Sequence, residues 1–291
     1  MPRARPVSLR LALVLAVAAQ LSVNAGSGFA VNAFALASPA AMVVFRTGLS
    51  ALVLMAVLRP RLRGLTGEAW AAATAYGLSM VVMNSFFYEA IDLIPVGPAV
   101  TIEMLGPLAL SVILARRWRA WLWAVLALAG VATLSGLSLS GINPLGTVYI
   151  LIAGAAWASY IVCARWVGRA FGSGQGPMVG LTLGLAVAAV ASLPRGLPDL
   201  IAPPVSLEAL GWGAVIALLA TLVPYGLEMI ALRGMSAATF GVTTALAPAS
   251  AALFGWVIAG QSLGWWAVAG MALVTIASAG AASDEARGRP T

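Results

Sequence analysis

The sequence predicts an all-α integral membrane protein, with ten transmembrane helices in a 5+5 inverted repeat, from three observations. The 291 residues are 62% hydrophobic and only 9% charged, whereas soluble domains carry about 25% charged residues. Apolar stretches of roughly 20 residues, the length that crosses a bilayer core, recur along the whole chain. Nearly all of the arginines lie in the connections between these stretches, on one side of the expected membrane.

Ten apolar stretches are long enough to be membrane spans, and short connections rich in Pro and Gly separate them. The first stretch follows Arg3, Arg5 and Arg10, a pattern also typical of signal peptides. A first transmembrane helix is favoured because the apolar character continues to about Phe34, further than a signal-peptide core requires. The predicted spans cover residues 9–33, 38–58, 69–91, 97–115, 120–138, 144–165, 178–193, 207–231, 236–259 and 263–282.

The distribution of arginine predicts the orientation of the chain. Fourteen of the sixteen arginines lie at the N-terminus, in alternate connections or in the C-terminal tail. Arg195 alone lies on the opposite side, and Arg46 lies within the second span. The positive-inside rule therefore places both termini in the cytoplasm. Clusters between apolar spans suit anionic lipid head groups, so we expect a lipid bilayer as partner and no nucleic acid.

The side-chain composition excludes several kinds of chemistry. The chain has no histidine, and Cys163 is its only cysteine, so imidazole metal sites, cysteine clusters and an internal disulfide are excluded. A membrane-embedded enzyme that processes lipids generally needs His, Asp-rich metal sites or clustered bases. The chain has no lysine, and its three aspartates lie at or beyond span ends. We therefore expect no enzymatic activity, no metal and no cofactor.

A weak internal repeat divides the chain into two halves. The segment from Glu89 to Ala109 aligns with the segment from Ile230 to Ser250, at an offset of 141 residues. Five spans per half is an odd number, so the two halves must have opposite orientations. Inverted repeats with a binding site near the midplane are a common plan of secondary transporters. The predicted repeats are residues 1–140 and 141–291.

Three prolines interrupt predicted spans. Because proline has no N–H, Pro107 leaves the carbonyl of Glu103 without a helical partner, and Pro248 does the same for Thr244. Interrupted helices at matching places in two halves indicate a transporter site, although neighbouring helices also relieve simple packing kinks. Pro224 marks a further kinked place in span 8.

Two opposite charges lie at equal depth in the predicted membrane. Arg46 is about seven residues into span 2 and Glu103 about six into span 4, roughly 10 Å below the same face. An ionisable group at this depth is costly and functional by default. The two side chains are expected either to form a structural ion pair or to bind substrate or protons. A buried carboxyl group takes up a proton readily, because burial penalises its charged form.

Other polar residues leave two interpretations open. Glu228 lies near the end of span 8, where it either snorkels to the interface or forms a polar place with the adjacent Tyr225. Asn84 and Tyr88 are four residues apart and share a face of span 3. Tyr160, with Trp157, either stacks on a substrate or packs in the core. A polar stripe in span 1 either forms hydrogen bonds with neighbouring helices or lines a cavity. Its residues are Gln20, Asn24 and Ser27.

Several of these segments resemble the drug/metabolite transporter superfamily, with two EamA domains, and more closely bacterial inner-membrane exporters of threonine and homoserine. The matching segments are FRTGLSALVL around Arg46, residues 83–97, EMLGPLAL, AAWASYI at 155–161 and VPYGLEMIAL at 223–232. The resemblance implies ten helices, the inverted repeat, a bacterial cytoplasmic membrane and proton-driven export of small amino-acid-like substrates. It makes Arg46, Glu103 and Glu228 family features.

The sequence departs from the family pattern at two acidic positions. Ala247 precedes Pro248, and Gln261 follows Gly260, where the family usually has glutamate. Glu103 and Glu228 therefore remain as proton carriers. We expect a proton antiporter that exports amino acids or related small polar metabolites by alternating access. A broader drug or nucleobase exporter of the same superfamily, or less readily a passive channel, is the alternative.

Overall fold

The computed structural model describes residues 7–115, 118–134, 143–171, 176–201, 206–231, 234–235, 240 and 243–287. All regular secondary structure in these segments is helical. The helices are α1 Leu9–Ala33, α2 Pro39–Leu58, α3 Gly67–Leu93, α4 Val96–Glu103, α5 Leu105–Ala115, α6 Trp118–Leu134, α7 Pro144–Phe171, α8 Pro177–Ile201, α9 Leu207–Ala217, a π-helix Leu218–Leu222, α10 Val223–Ala231, α11 Ala247–Val257 and α12 Trp265–Arg287.

Local signals in the sequence explain where several helices begin. Ser8, Ser38, Thr66 and Ser206 precede α1, α2, α3 and α9, and each side chain accepts a hydrogen bond from the N–H three residues later. Such an N-cap satisfies one of the free N–H groups of the first turn. Prolines begin α2, α7 and α8, where the missing N–H has no cost.

The described helices group into ten units and confirm the prediction of an all-helical membrane protein. The α4–α5 pair is one unit interrupted at Met104, and α9, the π-helix and α10 form another. Five segments are individually long and apolar enough to cross a membrane: α1, α2, α7, α8 and Leu207–Glu228. Helices of this kind satisfy their own backbone hydrogen bonds, as a bilayer requires.

The predicted end of span 7 at residue 193 is wrong, because α8 continues through Pro194 and Pro198 to Ile201. The prediction treated these prolines as part of a connection. Packing against α2 explains the continuation, since a Cβ at Gly196 would lie 2.5 Å from the Ala40 carbonyl oxygen. Ser38 also donates a hydrogen bond to the Asp199 carboxylate. Both contacts hold the last turns of α8 against the start of α2.

Some predictions fall outside the described residues. They concern the end of span 5, at 135–138, and most of the beginning of span 9, at 236–239 and 241–242. The same holds for a group of arginines used to predict the topology: Arg3, Arg5, Arg116, Arg117, Arg233 and Arg289. The described Arg59, Arg61 and Arg63 follow α2. We call this end of the bundle, where α1 begins and α2 ends, the arginine-bearing end.

The packing between the first five units and the last five is reciprocal. Helix α2 packs on α8, α4 on α11 and α6 on α12. Helix α3 packs on α7, and their counterparts in the other half, the α9–α10 unit and α1, also pack on each other. Likewise, the α4–α5 unit packs on α7 just as α11 packs on α1. Exchange of the two halves therefore converts each of these pairings into itself or into another of them.

Helix α3 contributes a continuous buried stripe to the interior. It contacts α2, α4, α7 and α8, and its side chains at four-residue intervals are all buried: Tyr76, Met80, Asn84 and Tyr88. Residues four apart lie on one face of a helix. From Tyr76 to Tyr88 the stripe covers about 18 Å, at a rise of 1.5 Å per residue.

Candidate substrate site

Arg46 of α2 is bound by the π-helix in the second half of the chain. Its side chain is 5% exposed. The guanidinium Nε donates to the Thr221 hydroxyl at 2.9 Å, and Nη2 donates to the Ala220 carbonyl at 2.8 Å. A buried cation thus has two hydrogen-bond acceptors that carry no formal charge.

Pro224 explains why these acceptors are available. A proline has no N–H and its ring crowds the carbonyl four residues earlier, which is that of Ala220. The helix widens here into a π-helix, in which the Val223 N–H bonds to the Leu218 carbonyl. The intervening Leu219 carbonyl accepts a 2.7 Å hydrogen bond from Ser22 of α1. Side chains of the first half therefore satisfy both carbonyls, as buried backbone groups require.

Glu103 lies at the break between α4 and α5. The helix is interrupted at Met104, three residues before Pro107. The Glu103 carbonyl lies against α7, because a Cβ at Gly154 would be only 2.7 Å from its oxygen. A Cβ at Gly106 would lie 1.8 Å from the Gly154 carbonyl oxygen. The absence of a side chain at both glycines lets the two backbones meet at the break.

The expected ion pair between Arg46 and Glu103 is not formed. No nitrogen–oxygen distance within 4.0 Å joins these two described side chains, although they interact electrostatically. The reason is that Arg46 bonds to Thr221 and Ala220 instead. The Glu103 side chain is 8% exposed, and no described residue forms a hydrogen bond with its carboxylate. The interior thus contains separate positive and negative groups.

Tyr88 and Asn84 lie beside these charges on the α3 stripe. The Arg46 guanidinium carbon is 5.5 Å from the centre of the Tyr88 ring, and Phe34 makes an edge contact with that ring. Tyr88 is 0% exposed, and its hydroxyl has no hydrogen-bond partner in the described part of the chain. A buried hydroxyl without a partner is rare in native structures and calls for an explanation, such as a water, an ion or a ligand that bonds to it. Asn84, one turn earlier, is buried as well.

A second polar group, which we call the tyrosine cluster, consists of Tyr76, Tyr160, Tyr225 and Glu228. The Tyr76 and Tyr160 rings stack with centroids 4.8 Å apart, and their hydroxyls are 2.8 Å apart in a hydrogen bond. Tyr225 and Glu228 of α10 interact electrostatically with both rings' hydroxyls. Tyr225 also interacts with Arg46. The cluster lies on the side of Arg46 nearer the arginine-bearing end.

Tyr76 is the site residue that the sequence interpretation missed. The signal was present, because Tyr76 lies eight residues before Asn84 and twelve before Tyr88. Extension of their four-residue spacing by two turns would have found it. Trp157, three residues before Tyr160, is half-buried and packs against the core.

The remaining predicted residues join the two halves at other points. Pro248 is in the first turn of α11, and the Ser250 hydroxyl nearby accepts a 2.7 Å hydrogen bond from the Asn24 amide of α1. Asn24 therefore links two helices by a hydrogen bond, and Gln20 is buried on the same stripe. Gln261 accepts a 3.0 Å hydrogen bond from the Val96 N–H at the start of α4.

Comparisons with known proteins agree with this architecture. The model of the EamA-like transporter family matches residues 144–282. The threonine/homoserine exporter RhtA of Escherichia coli strain K12 is 32% identical over 261 residues, which cover 89% of this chain and 87% of that protein. The protein of the same name from Salmonella typhimurium strain LT2 has the same identity and coverage.

A solved crystal structure has the same fold over 97% of this chain and 100% of its own, with a TM-score of 0.60 and 21% identity. The chain is thus related over most of its length to a curated exporter and shares its overall fold with a solved structure. It belongs to the EamA-like transporter family, and is therefore a multi-pass membrane transporter of small molecules and not an enzyme.

Proposed function

We propose that the protein exports amino acids or closely related small polar metabolites across the bacterial cytoplasmic membrane in exchange for protons. The relatives named as threonine/homoserine exporters support this substrate class. The observation that carries the proposal is the separation of Arg46 from Glu103. A zwitterion brings one carboxylate and one ammonium group, and the site offers one partner for each.

The carboxylate of the substrate binds to Arg46 and Tyr88. A guanidinium has five N–H donors, and the bonds to Thr221 and Ala220 occupy two of them. The remaining donors and the unbonded Tyr88 hydroxyl are suited to a carboxylate, because charge-assisted hydrogen bonds to carboxylates are short and strong.

The ammonium group of the substrate binds to Glu103. Its carboxylate has no hydrogen-bond partner among the described side chains, and it lies at the end of α4 where the helix is interrupted. Asn84, which is buried on the same stripe as Tyr88, bonds the side-chain hydroxyl of threonine or homoserine. A buried site that hydrogen-bonds a hydroxyl discriminates strongly against substrates that lack it.

Glu103 also couples transport to protons. A buried carboxylate is costly unless a cation or a proton neutralises it. A substrate ammonium and a proton therefore compete for the same group, and this competition produces antiport. Glu103 alternates between a protonated state and a substrate-bound state as the site opens to each side of the membrane.

Alternating access uses ten transmembrane helices in two inverted repeats, residues 1–140 and 141–291, with both termini in the cytoplasm. The reciprocal packing of the two halves supports this symmetry. The helix interrupted at Met104 and the helix widened at Leu218–Leu222 lie beside the site, and discontinuous helices at the site are expected of such carriers. Rocking of one half against the other moves the site from one face to the other.

Counterflow in proteoliposomes tests the substrate class. Vesicles are loaded with one of three compounds. L-homoserine has both charged groups, 3-amino-1-propanol has only the amine, and 4-hydroxybutyrate has only the acid. We expect only the zwitterion to drive uptake of labelled L-homoserine. Equal counterflow with 3-amino-1-propanol or 4-hydroxybutyrate would favour the broader drug exporter instead. Export of apolar drugs at the same rate by the parent and Glu103→Gln would favour it as well.

A further inference from the structure

We propose that the tyrosine cluster is a second binding station, which holds the ammonium group of the substrate between the Arg46–Glu103 site and the arginine-bearing end. This inference rests on the proposed function, because the cation is that of the exported substrate. It adds a site with its own residues, of which Tyr76 is new.

The cluster combines side chains from two separate parts of the bundle. Tyr76 and Tyr160 belong to α3 and α7, which pack on each other, whereas α10 packs on α1 and the π-helix. In the described segments, α10 makes no extensive packing contact with α3 or α7. Tyr225 and Glu228 nevertheless interact electrostatically with the two stacked tyrosines. Polar side chains of helices that do not pack closely are therefore near enough to influence one another.

Glu228 is a carboxylate with no compensating arginine among the described residues. It is half-buried, and no described arginine forms an ion pair with it. Arg46, by contrast, interacts with Glu103 and Tyr225. The described interior thus contains one arginine, Arg46, and two carboxylates, Glu103 and Glu228. Because a charge that is partly withdrawn from water is unfavourable without a partner, a mobile cation or a proton stabilises Glu228.

The aromatic residues make an ammonium group a suitable occupant. Aromatic faces attract cations, and the attraction grows when the cation is desolvated. The hydrogen bond between Tyr76 and Tyr160 and their stacking fix both rings before any ligand arrives. A site that is already ordered loses less entropy on binding.

The distance between the two sites makes them separate stations. Tyr76 and Tyr88 lie twelve residues apart on α3, which corresponds to about 18 Å. A small amino acid is shorter than this, so one molecule cannot contact Tyr76 and Tyr88 at once, whereas Tyr225 interacts with both Arg46 and Glu228 and links the two sites. Met80 and Asn84 continue the buried stripe between them.

The native cysteine offers a direct test. Cys163 is the only cysteine, lies one turn after Tyr160 on α7, and is near enough to Tyr76 to influence its hydroxyl. The rate of its reaction with N-ethylmaleimide is measured in purified protein with and without 3-amino-1-propanol. We expect the amine to slow labelling in the parent and in Glu103→Gln, and 4-hydroxybutyrate to leave it unchanged. Comparison of rates within each variant removes any direct effect of the substitution on the thiol.

Glu228→Gln is expected to weaken this protection by about tenfold, from the loss of a charged hydrogen-bond partner. The exposed Glu208 of α9 provides the matched control, and Glu208→Gln should keep full protection. Tyr76→Leu, which removes an aromatic face and leaves both glutamates, should weaken protection by about fivefold. If Glu228→Gln does not fold, the loss of protection in Tyr76→Leu still tests the second station.

Protection that is absent in the parent, or unchanged in both Glu228→Gln and Tyr76→Leu, would overturn the second station. Protection by the amine without counterflow of L-homoserine would support a cation station and overturn the proposed substrate. Counterflow that depends on Glu103, with no protection of Cys163, would overturn the station and leave the proposed function standing.

Discussion

The guanidinium Nη2 of Arg46 donates a 2.8 Å hydrogen bond to the carbonyl of Ala220, the residue four positions before Pro224. A charged side chain of the first half thus replaces the backbone N–H that a proline removes from the second half. The interaction ties α2 to the π-helix. It also fixes the guanidinium in one place, so that its other N–H groups face a defined part of the interior.

The first prediction concerns the coupling of Arg46 to Pro224. Arg46→Ala should destabilise the purified protein by about 2–3 kcal/mol, since it leaves a buried carbonyl without a charged donor. In a Pro224→Ala background the loss should be smaller, because the new N–H at position 224 can satisfy the Ala220 carbonyl. The four proteins of this double-mutant cycle are compared by thermal unfolding in detergent. Strictly additive losses would contradict the assignment.

The Ser22 hydroxyl gives a second prediction. It donates to the Leu219 carbonyl of the π-helix, so Ser22→Ala should cost about 1 kcal/mol. Ser159 is the matched control, because its hydroxyl bonds to Ala155 of its own exposed helical turn. Ser159→Ala should change the free energy of unfolding little. Equal effects of both substitutions would show that Ser22 does not support the π-helix.

The close approach of α5 to α7 gives a third prediction. Gly106→Ala and Gly154→Ala should each destabilise the protein by about 1–3 kcal/mol or more, because the added methyl group meets backbone atoms. Gly168, also on α7, has no atom within 4 Å of its Cβ position. Gly168→Ala should therefore be neutral or stabilising by up to about 1 kcal/mol. Tolerance of all three changes would argue against the contact.

Composition and apolar length were sufficient to predict the helices and the membrane class. Each span must satisfy its backbone hydrogen bonds within its own helix, which favours helices. Its side chains must be apolar over the length that crosses the bilayer core. The equal depth of Arg46 and Glu103 in spans 2 and 4 stays a prediction, and the electrostatic interaction between the two side chains agrees with it. The break at Glu103 followed from Pro107, since a missing N–H is a property of the residue itself.

The partners of Arg46 could not be predicted in this way. Opposite charge at equal depth suggested Glu103, but the Ala220 carbonyl becomes an acceptor only because Pro224 widens a helix 174 residues later in the chain. The continuation of α8 past Pro194 depends on contact with α2, which no local pattern reveals. Such long-range backbone contacts decide outcomes that residue propensity leaves open.

The orientation of the protein is the fourth prediction. The arginine asymmetry predicts that reporter fusions place both termini, and the connections after α2, α5, α7 and α10, in the cytoplasm. Fusions in the connections after α1, α3, α6, α8 and α11 should report the opposite side. An external C-terminus would contradict both the ten-span topology and the inverted repeat.

Tyr88 gives the fifth prediction, which separates binding from folding. Its hydroxyl has no partner in the described structure, so Tyr88→Phe should leave thermal stability unchanged or slightly raised. The half-saturation concentration for L-homoserine should rise by about tenfold, from the loss of one hydrogen bond to a charged group. Tyr149→Phe, at a ring that packs on Phe86, is the control and should leave transport unchanged. A fall in stability with unchanged substrate affinity would assign Tyr88 to packing alone.

The central claim is that Glu103 exchanges a proton for the substrate ammonium. The most direct measurement is efflux of L-homoserine from proteoliposomes containing the parent or Glu103→Gln, with and without an imposed pH gradient. The amide keeps the shape and polarity of the side chain but carries no titratable proton. We predict that the gradient accelerates efflux only in the parent, while Glu103→Gln folds and shows no response to it. An equal response to the gradient in both proteins would contradict the account and place proton coupling at another residue.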